Sequence, residues 1–440
     1  MSNSSILIGA GQRYDRVIGV GGVTVSTDGY LWSNSSEIAQ PFPPGMRAQG
    51  IATTATGNVF VAISDSGWAS TSYDLGTWTN TRLLDNNFTA LGISWGRNGD
   101  GARPLFAVAG SRIYNDDNTL PGEYELGDQI AQILINESGS PYTWDQAFTH
   151  PCTNSWFHNV RYFDNITVNG VSTSAWVAVG HASGQPDIWY TENINWVGGG
   201  NVPDPNTWVQ VVIPASYGNR PLYDVAEYQG TLYFSGRGVI INTTDLGDPT
   251  WNSSPFFCTV RSTTVTARTP PSSTSTVNMN LGGAVTSSPL VDFVSIAASP
   301  EGQLVATSSR LLISSNDRTG WSQYSLNGYY FRSAMWFQDH WVVGSYSDLT
   351  QYTYFTSTNG VTWIPRNNMV QMYGMYAAST YTSVNMGGGN STTTVTMQLG
   401  EAQHSPYRLS LSAALGSGRN ALQSSQRNII PLSSSFARRS

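Results

Sequence analysis

The chain is built from short apolar runs separated by stretches rich in Gly, Ser, Thr and Asn. Phe60-Val61-Ala62-Ile63, Leu105-Phe106-Ala107-Val108, Trp176-Val177-Ala178-Val179, Leu232-Tyr233-Phe234 and Trp341-Val342-Val343-Gly344 are continuous rather than alternating. Runs this short, apolar at nearly every residue, read as strands buried on both faces. One turn later a second apolar run follows, as in Gly238-Val239-Ile240-Ile241 or Leu311-Leu312-Ile313. Upstream lies another, such as Gly50-Ile51-Ala52 or Leu222-Tyr223-Asp224-Val225-Ala226.

After these runs one motif recurs. Ser26-Thr27-Asp28-Gly29-Tyr30-Leu31-Trp32 is matched by Ser72-Tyr73-Asp74-Leu75-Gly76-Thr77-Trp78, by Ser315-Asn316-Asp317-Arg318-Thr319-Gly320-Trp321 and by Ser357-Thr358-Asn359-Gly360-Val361-Thr362-Trp363. The acid or amide always sits four residues before the Trp. Thr243-Thr244-Asp245-Leu246-Gly247 reaches Trp251 with two extra residues. An Asp or Asn in such a stretch bonds its own backbone and holds a hairpin turn, and the Trp then opens the returning strand and lies over the turn. The motif resembles a shortened Asp-box, the bacterial neuraminidase repeat. That resemblance implies a β-propeller of the sialidase-like superfamily and does not imply an activity. The box residues are therefore expected to be structural rather than catalytic.

Two degenerate copies fill the long gaps. Ile133-Leu134-Ile135-Asn136-Glu137-Ser138-Gly139 leads to Trp144, and Ile188-Trp189-Tyr190-Thr191-Glu192-Asn193 leads to Trp208. Turn tryptophans then fall at seven places, each with short strand signals before it. The expectation is an all-β chain: a seven-bladed β-propeller of four-stranded blades over about residues 1–380, almost without helix. The first unit is short of a strand and the last has one to spare, so Gln371–Ala378 is expected to complete the N-terminal blade and close the ring. An insertion at about 260–290 and a C-terminal region at 381–440 lie outside this pattern. They share Thr276-Val277-Asn278-Met279-Asn280-Leu281-Gly282 and Thr394-Val395-Thr396-Met397-Gln398-Leu399-Gly400, both read as hairpin strands that pack on each other or on a neighbouring subunit.

Charge changes the picture in one respect. Only 11% of residues are charged, and all the basic ones are Arg. Net charge is −7, yet from Arg408 onward there are five arginines (Arg408, Arg419, Arg427, Arg438 and Arg439) and no acid, so the rest carries −12. An acidic body argues against gripping a phosphate backbone, while the basic arm suits docking of one copy on another. No apolar run is long enough for a membrane span, and the N-terminus lacks the pattern of a signal peptide. Cys152 and Cys258 form no disulfide framework or metal spacing and are expected to be buried free thiols.

Candidate chemistry is sparse. A sialidase, as the resemblance implies, needs three arginines on a carboxylate, a Tyr activated by a Glu and an acid, on the face away from the box turns. Arg13 and Arg16 lie early but without the expected Arg-Ile-Pro context, and the count of seven blades departs from the six of sialidases. Glu192 and Glu227 are candidate acids, each more simply a solvated loop carboxylate. Asn115-Asp116-Asp117-Asn118 with Glu123, Glu125 and Asp128 offers oxygen ligands for calcium without EF-hand order; Asp116, Asp117 and Glu123 are the candidates, and a solvated loop is preferred. No cofactor is expected, nor any catalytic zinc, because the five His are scattered. The preferred function is a non-enzymatic structural or host-recognition component of a bacteriophage tail, of nozzle, hub or fibre type. Its partners would be other copies of itself, neighbouring tail proteins and a host surface glycan; it would be made in the cytoplasm and located in the virion. The alternative is a sialidase-like glycoside hydrolase or glycan-binding propeller, with Tyr329-Tyr330-Phe331 stacking on sugar.

Overall fold

In the computed structural model the chain is all-β and forms seven sheets around one axis. The structure describes residues 6–13, 20–33, 39–54, 58–97, 104–114, 128–137, 143–194, 204, 207–251, 256–261, 264–268, 277–280, 291–308, 312–316, 321–324, 329–347, 353–368 and 370–378. Short 3-10 geometry at Ala215–Tyr217 and at Thr207 is the helical content among them. Blade 2 shows the plan: Ala48–Thr53 innermost, then Phe60–Ser64, Trp68–Ser72 and Thr79–Arg82, each antiparallel to the last. Blades 3, 4, 6 and 7 repeat it, beginning with Phe88–Arg97, Ser155–Val168, Phe293–Ala298 and Tyr329–Phe337. Blade 5 begins with Leu222–Tyr228 and is extended outward by Thr264–Arg268 and Val277–Asn280. The second copy of the Thr-Val-x-Met motif lies outside the described residues.

Why the second strands are continuously apolar is visible in the packing. Successive residues of a strand point to opposite faces. Val61 packs toward blade 3, whereas Phe60 and Ala62 pack toward blade 1. Trp176 and Ala178 face blade 3 while Val177 and Val179 face blade 5. Trp341 and Val343 face blade 6, and Val342 faces blade 1. The described core is seven apolar slabs, one between each pair of neighbouring blades.

Blade 1 is made from both ends of the described chain. Val370–Ala378 is its inner strand and pairs with Ile6–Arg13, which pairs with Gly21–Ser26. A bridge from Val23 to Ala39 stands in for the outer strand. Leu7 at 0% exposure faces blade 7, while Ile6 and Ile8 face blade 2.

The box turns form as the repeat requires. Asp28 Oδ1 accepts the N–H groups of Tyr30 and Leu31 at 2.8 and 2.7 Å, and Asp74 Oδ1 accepts those of Gly76 and Thr77 at 2.8 and 2.7 Å. Asn359 Oδ1 does the same for Val361 and Thr362 at 2.9 and 2.8 Å, so the amide oxygen serves as well as the carboxylate. Ser26, Ser72 and Ser357 each bond the acid or amide of their own turn at 3.1 Å. Trp78 and Trp363 lie over their turns, donating to the carbonyls of Leu75 and Gly360. Trp251 differs: the two extra residues carry it away, and it donates to Val212 on blade 4. Trp32 packs edge-on to Tyr354 of blade 7. Ser315 and Trp321 are buried, and Asp317 lies outside the described residues.

Two outcomes are expected. Asp74→Asn should leave stability nearly unchanged in urea denaturation, whereas Asp74→Ala should cost about 1 kcal/mol. A chain ending at Pro365 should be insoluble on expression, because blade 1 then lacks its inner strand, while one ending at Gln403 should be recovered in the soluble fraction.

Candidate functional site at the channel mouth

In every blade the pairing of the two innermost strands slips by one residue at the same level. The slips fall between Ala48 and Gly50, Ala90 and Gly92, Phe157 and Asn159, Leu222 and Asp224, Phe293 and Ser295, and Phe331 and Ser333. In blade 1 the pairing passes from Ala10–Gly374 to Gly11–Met372 and skips Tyr373. A bulge leaves one residue out of the ladder and re-aims its side chain. The skipped residues are Gln49, Leu91, His158, Tyr223, Val294, Arg332 and Tyr373, and all of them line one cavity of about 300 Å³ encircled by the inner strands.

The residue after each bulge is Gly, Asn, Asp or Ser, because the strands converge there. A Cβ on Gly92 would sit 2.4 Å from Asn159 Oδ1, and one on Gly374 would sit 3.0 Å from the Cα of Gly50. At Asp224 the convergence becomes a clamp across three blades. Its carboxylate, 1% exposed, accepts Arg161 Nε and Nη2 at 3.0 Å each and Asn159 Nδ2 at 2.6 Å from blade 4. It also accepts the N–H of Val225 in its own strand and that of Ile296 in blade 6. A buried carboxylate is tolerated only when its lone pairs are this fully engaged.

The rim of the cavity is unequal around its circumference. Arg332 is exposed and lies 5.9 Å from the Tyr373 ring centre, and the exposed Arg47, just before the inner strand of blade 2, acts electrostatically on the Tyr373 hydroxyl. Neither arginine is ion-paired to a carboxylate among the described residues. Burial raises the Tyr373 hydroxyl; Arg47 and Arg332 pull the other way, and Tyr346 and Asp65 add to the rise. On the far side His158 packs against Trp156, His181 and Tyr223. Burial, with His181 and Arg237 adding to it, pushes His158 down to about 3, so that its ring is neutral at pH 7. Tyr223 is pushed up to about 12, first by burial and then by Asp292. An activated nucleophile needs the opposite shift.

The two faces of the ring differ in charge. Asn169 and Gly170 N–H groups reach Asp245, Gln303 Nε2 reaches the Asn359 carbonyl, and Gln338 Nε2 reaches that of Thr27. The box turns thus share one face with the hairpins that leave the inner strands, and the bulges lie toward the other. The box face carries Asp28, Asp74, Asp245, Asp248, Glu301 and Asp339, with Arg97 and Arg366 among them. The mouth face carries Arg47, Arg82, Arg112, Arg220, Arg237 and Arg332. Of its acids, Asp85 and Asp292 are paired to Arg112 and Arg237, and Asp65 acts on the Tyr373 hydroxyl.

The residues singled out from sequence are mostly elsewhere. Glu192 is exposed on the box side, and Glu227 accepts the Gly230 N–H at 2.6 Å within its own hairpin. Arg13 is buried at 2% exposure; Arg16, the calcium candidates Asp116, Asp117 and Glu123, and the arm from Arg408 to Arg439 lie outside the described residues. Among the described residues no three metal-ligating side chains gather, and no helix is long and apolar enough to cross a membrane. Two expectations are corrected. Phe331 is fully buried between blades 6 and 7, so its ring is closed to a sugar, and Tyr330 stacks on Tyr346 at 4.9 Å. Cys152 is exposed, because it sits in the turn entering blade 4, where His150 and Ser155 hold its backbone and leave its side chain outward.

No family model matches the chain, and no curated protein matches its sequence. Solved structures match in architecture. YCF48 bound to D1 peptide gives a TM-score of 0.43 at 11% identity, over 74% of this chain and 86% of that one. Saccharomyces cerevisiae Sqt1 gives 0.39 at 9%, over 74% and 87%. The C-terminal WD40 domain of Sif2 gives 0.41 at 10%, over 90% and 89%. These likenesses carry no argument about function.

Asp224→Ala is expected to cost about 3 kcal/mol or more in urea denaturation, since it leaves Arg161 without its carboxylate. Arg332→Gln, altering an exposed side chain, should stay within about 0.5 kcal/mol of the parent in the same assay.

Proposed function

We propose that the protein is a non-catalytic subunit of a multi-copy assembly, of the kind found in bacteriophage tails, and that it works by binding through its unlike faces. The observation that carries this reading is the cationic pole at the mouth: two exposed arginines near Tyr373, ion-paired to no carboxylate among the described residues and outnumbering the nearby Asp65, beside tyrosines shifted away from nucleophilic use. Such a pole, on the face opposite an acidic one, suits association with neighbouring subunits. The basic segment after Gln403 adds a second source of charge complementarity. The sialidase-like alternative asks for a Glu that activates a mouth Tyr; Tyr223 has Asp292 beside it instead, and its hydroxyl is pushed up to about 12 rather than activated.

Sedimentation of the full chain at low and high salt, beside the chain ending at Gln403, tests the reading together with hydrolysis of a fluorogenic sialoside. Salt-sensitive association of the full chain without hydrolysis is the expected result. A monomer at all salt concentrations that cleaves the sialoside overturns it.

A further inference from the structure

We infer that the channel mouth is a receptor for an acidic peptide segment, whose side-chain carboxylates seat on Arg332 and Arg47 on either side of the Tyr373 ring. The inference rests on the binding role just proposed and specifies its ligand.

The chemistry of the rim selects the class. Guanidinium forks hold carboxylates bidentately, and these two are exposed and ion-paired to no carboxylate among the described residues; Arg332 lies 5.9 Å from the Tyr373 ring centre, and Arg47, on the next blade in order, acts on the Tyr373 hydroxyl. By contrast Arg161, deeper in the same cavity, has Nε and Nη2 already engaged by Asp224. The carboxylates of the ligand therefore stop at the rim. Two forks rather than one favour a segment with several acidic side chains over a lone terminal carboxylate.

Size and the remaining rim narrow it further. A cavity of about 300 Å³ is at the lower end of small-molecule sites, enough for a side chain or two entering from above. Leu91, Val294 and the neutral His158 are among the remaining rim residues, with Val294 on the blade next to Arg332 and His158 across the opening from Tyr373. They suit the aliphatic stems of Glu side chains better than a string of phosphates.

The test uses the full chain and a fluorescein-labelled hexaglutamate peptide, acetylated and amidated so that it has no terminal carboxylate. Anisotropy should rise on titration, and the affinity should fall at least tenfold in Arg332→Gln and in Arg47→Gln, with Arg220→Gln unchanged. Weaker binding at 200 than at 50 mM salt is expected, since contacts between exposed charges are screened. The inference is overturned if hexaglutamate does not bind, if it binds the mouth variants as well as the parent, or if hexaglutamine with a free C-terminus binds equally. Tighter binding of a single-stranded oligothymidylate or of N-acetylneuraminic acid also overturns it. None of these outcomes bears on salt-sensitive association or sialoside hydrolysis, which decide the broader reading separately.

Discussion

Everything in this fold depends on blades that are apolar on both faces. A blade such as Ala48–Arg82 buries one face against blade 1 and the other against blade 3, so it has no independent surface for water. An open row of such sheets would leave two greasy ends, and the hydrophobic effect penalises each in proportion to its area. The ring removes both ends at once, and it does so by pairing Val370–Ala378 with Ile6–Arg13. That single seam joins the beginning and the end of the described propeller, so local packing is cooperative around the whole circumference.

Much of this was legible because the physics is periodic. Continuous apolar runs such as Trp176–Val179 mark strands buried twice, and a polar turn with an Asp or Asn four residues before a Trp marks the hairpin that follows. Spacing alone located closure at Gln371–Ala378. Trp251 went astray because two inserted residues moved it off its turn, and Cys152 because a turn holds its backbone and not its side chain.

The mouth was not legible as a site. Its signal is an apolar residue, any residue, then Gly, Asn, Asp or Ser, as in Ala48-Gln49-Gly50, Phe157-His158-Asn159 and Phe331-Arg332-Ser333. Such triplets are too common to stand out until the sheet register aligns them. Tyr223 and Asp224 fall in one stretch of strand, yet the bulge gives them opposite duties: Tyr223 faces the cavity and Asp224 ties three blades together. The middle residue of each triplet is the informative one, and it follows no pattern of its own.

That freedom has an evolutionary consequence. The middle residues belong neither to the hydrogen-bond ladder nor to the slabs between blades, so selection on folding acts on their neighbours and scarcely on them. Seven positions contributed by seven separate strands can then drift or be selected one at a time, each altering one sector of a single opening. The ring is in this respect a fixed frame around an interchangeable lock, and homologues would be expected to diverge fastest where Gln49, Leu91, His158, Tyr223, Val294, Arg332 and Tyr373 stand.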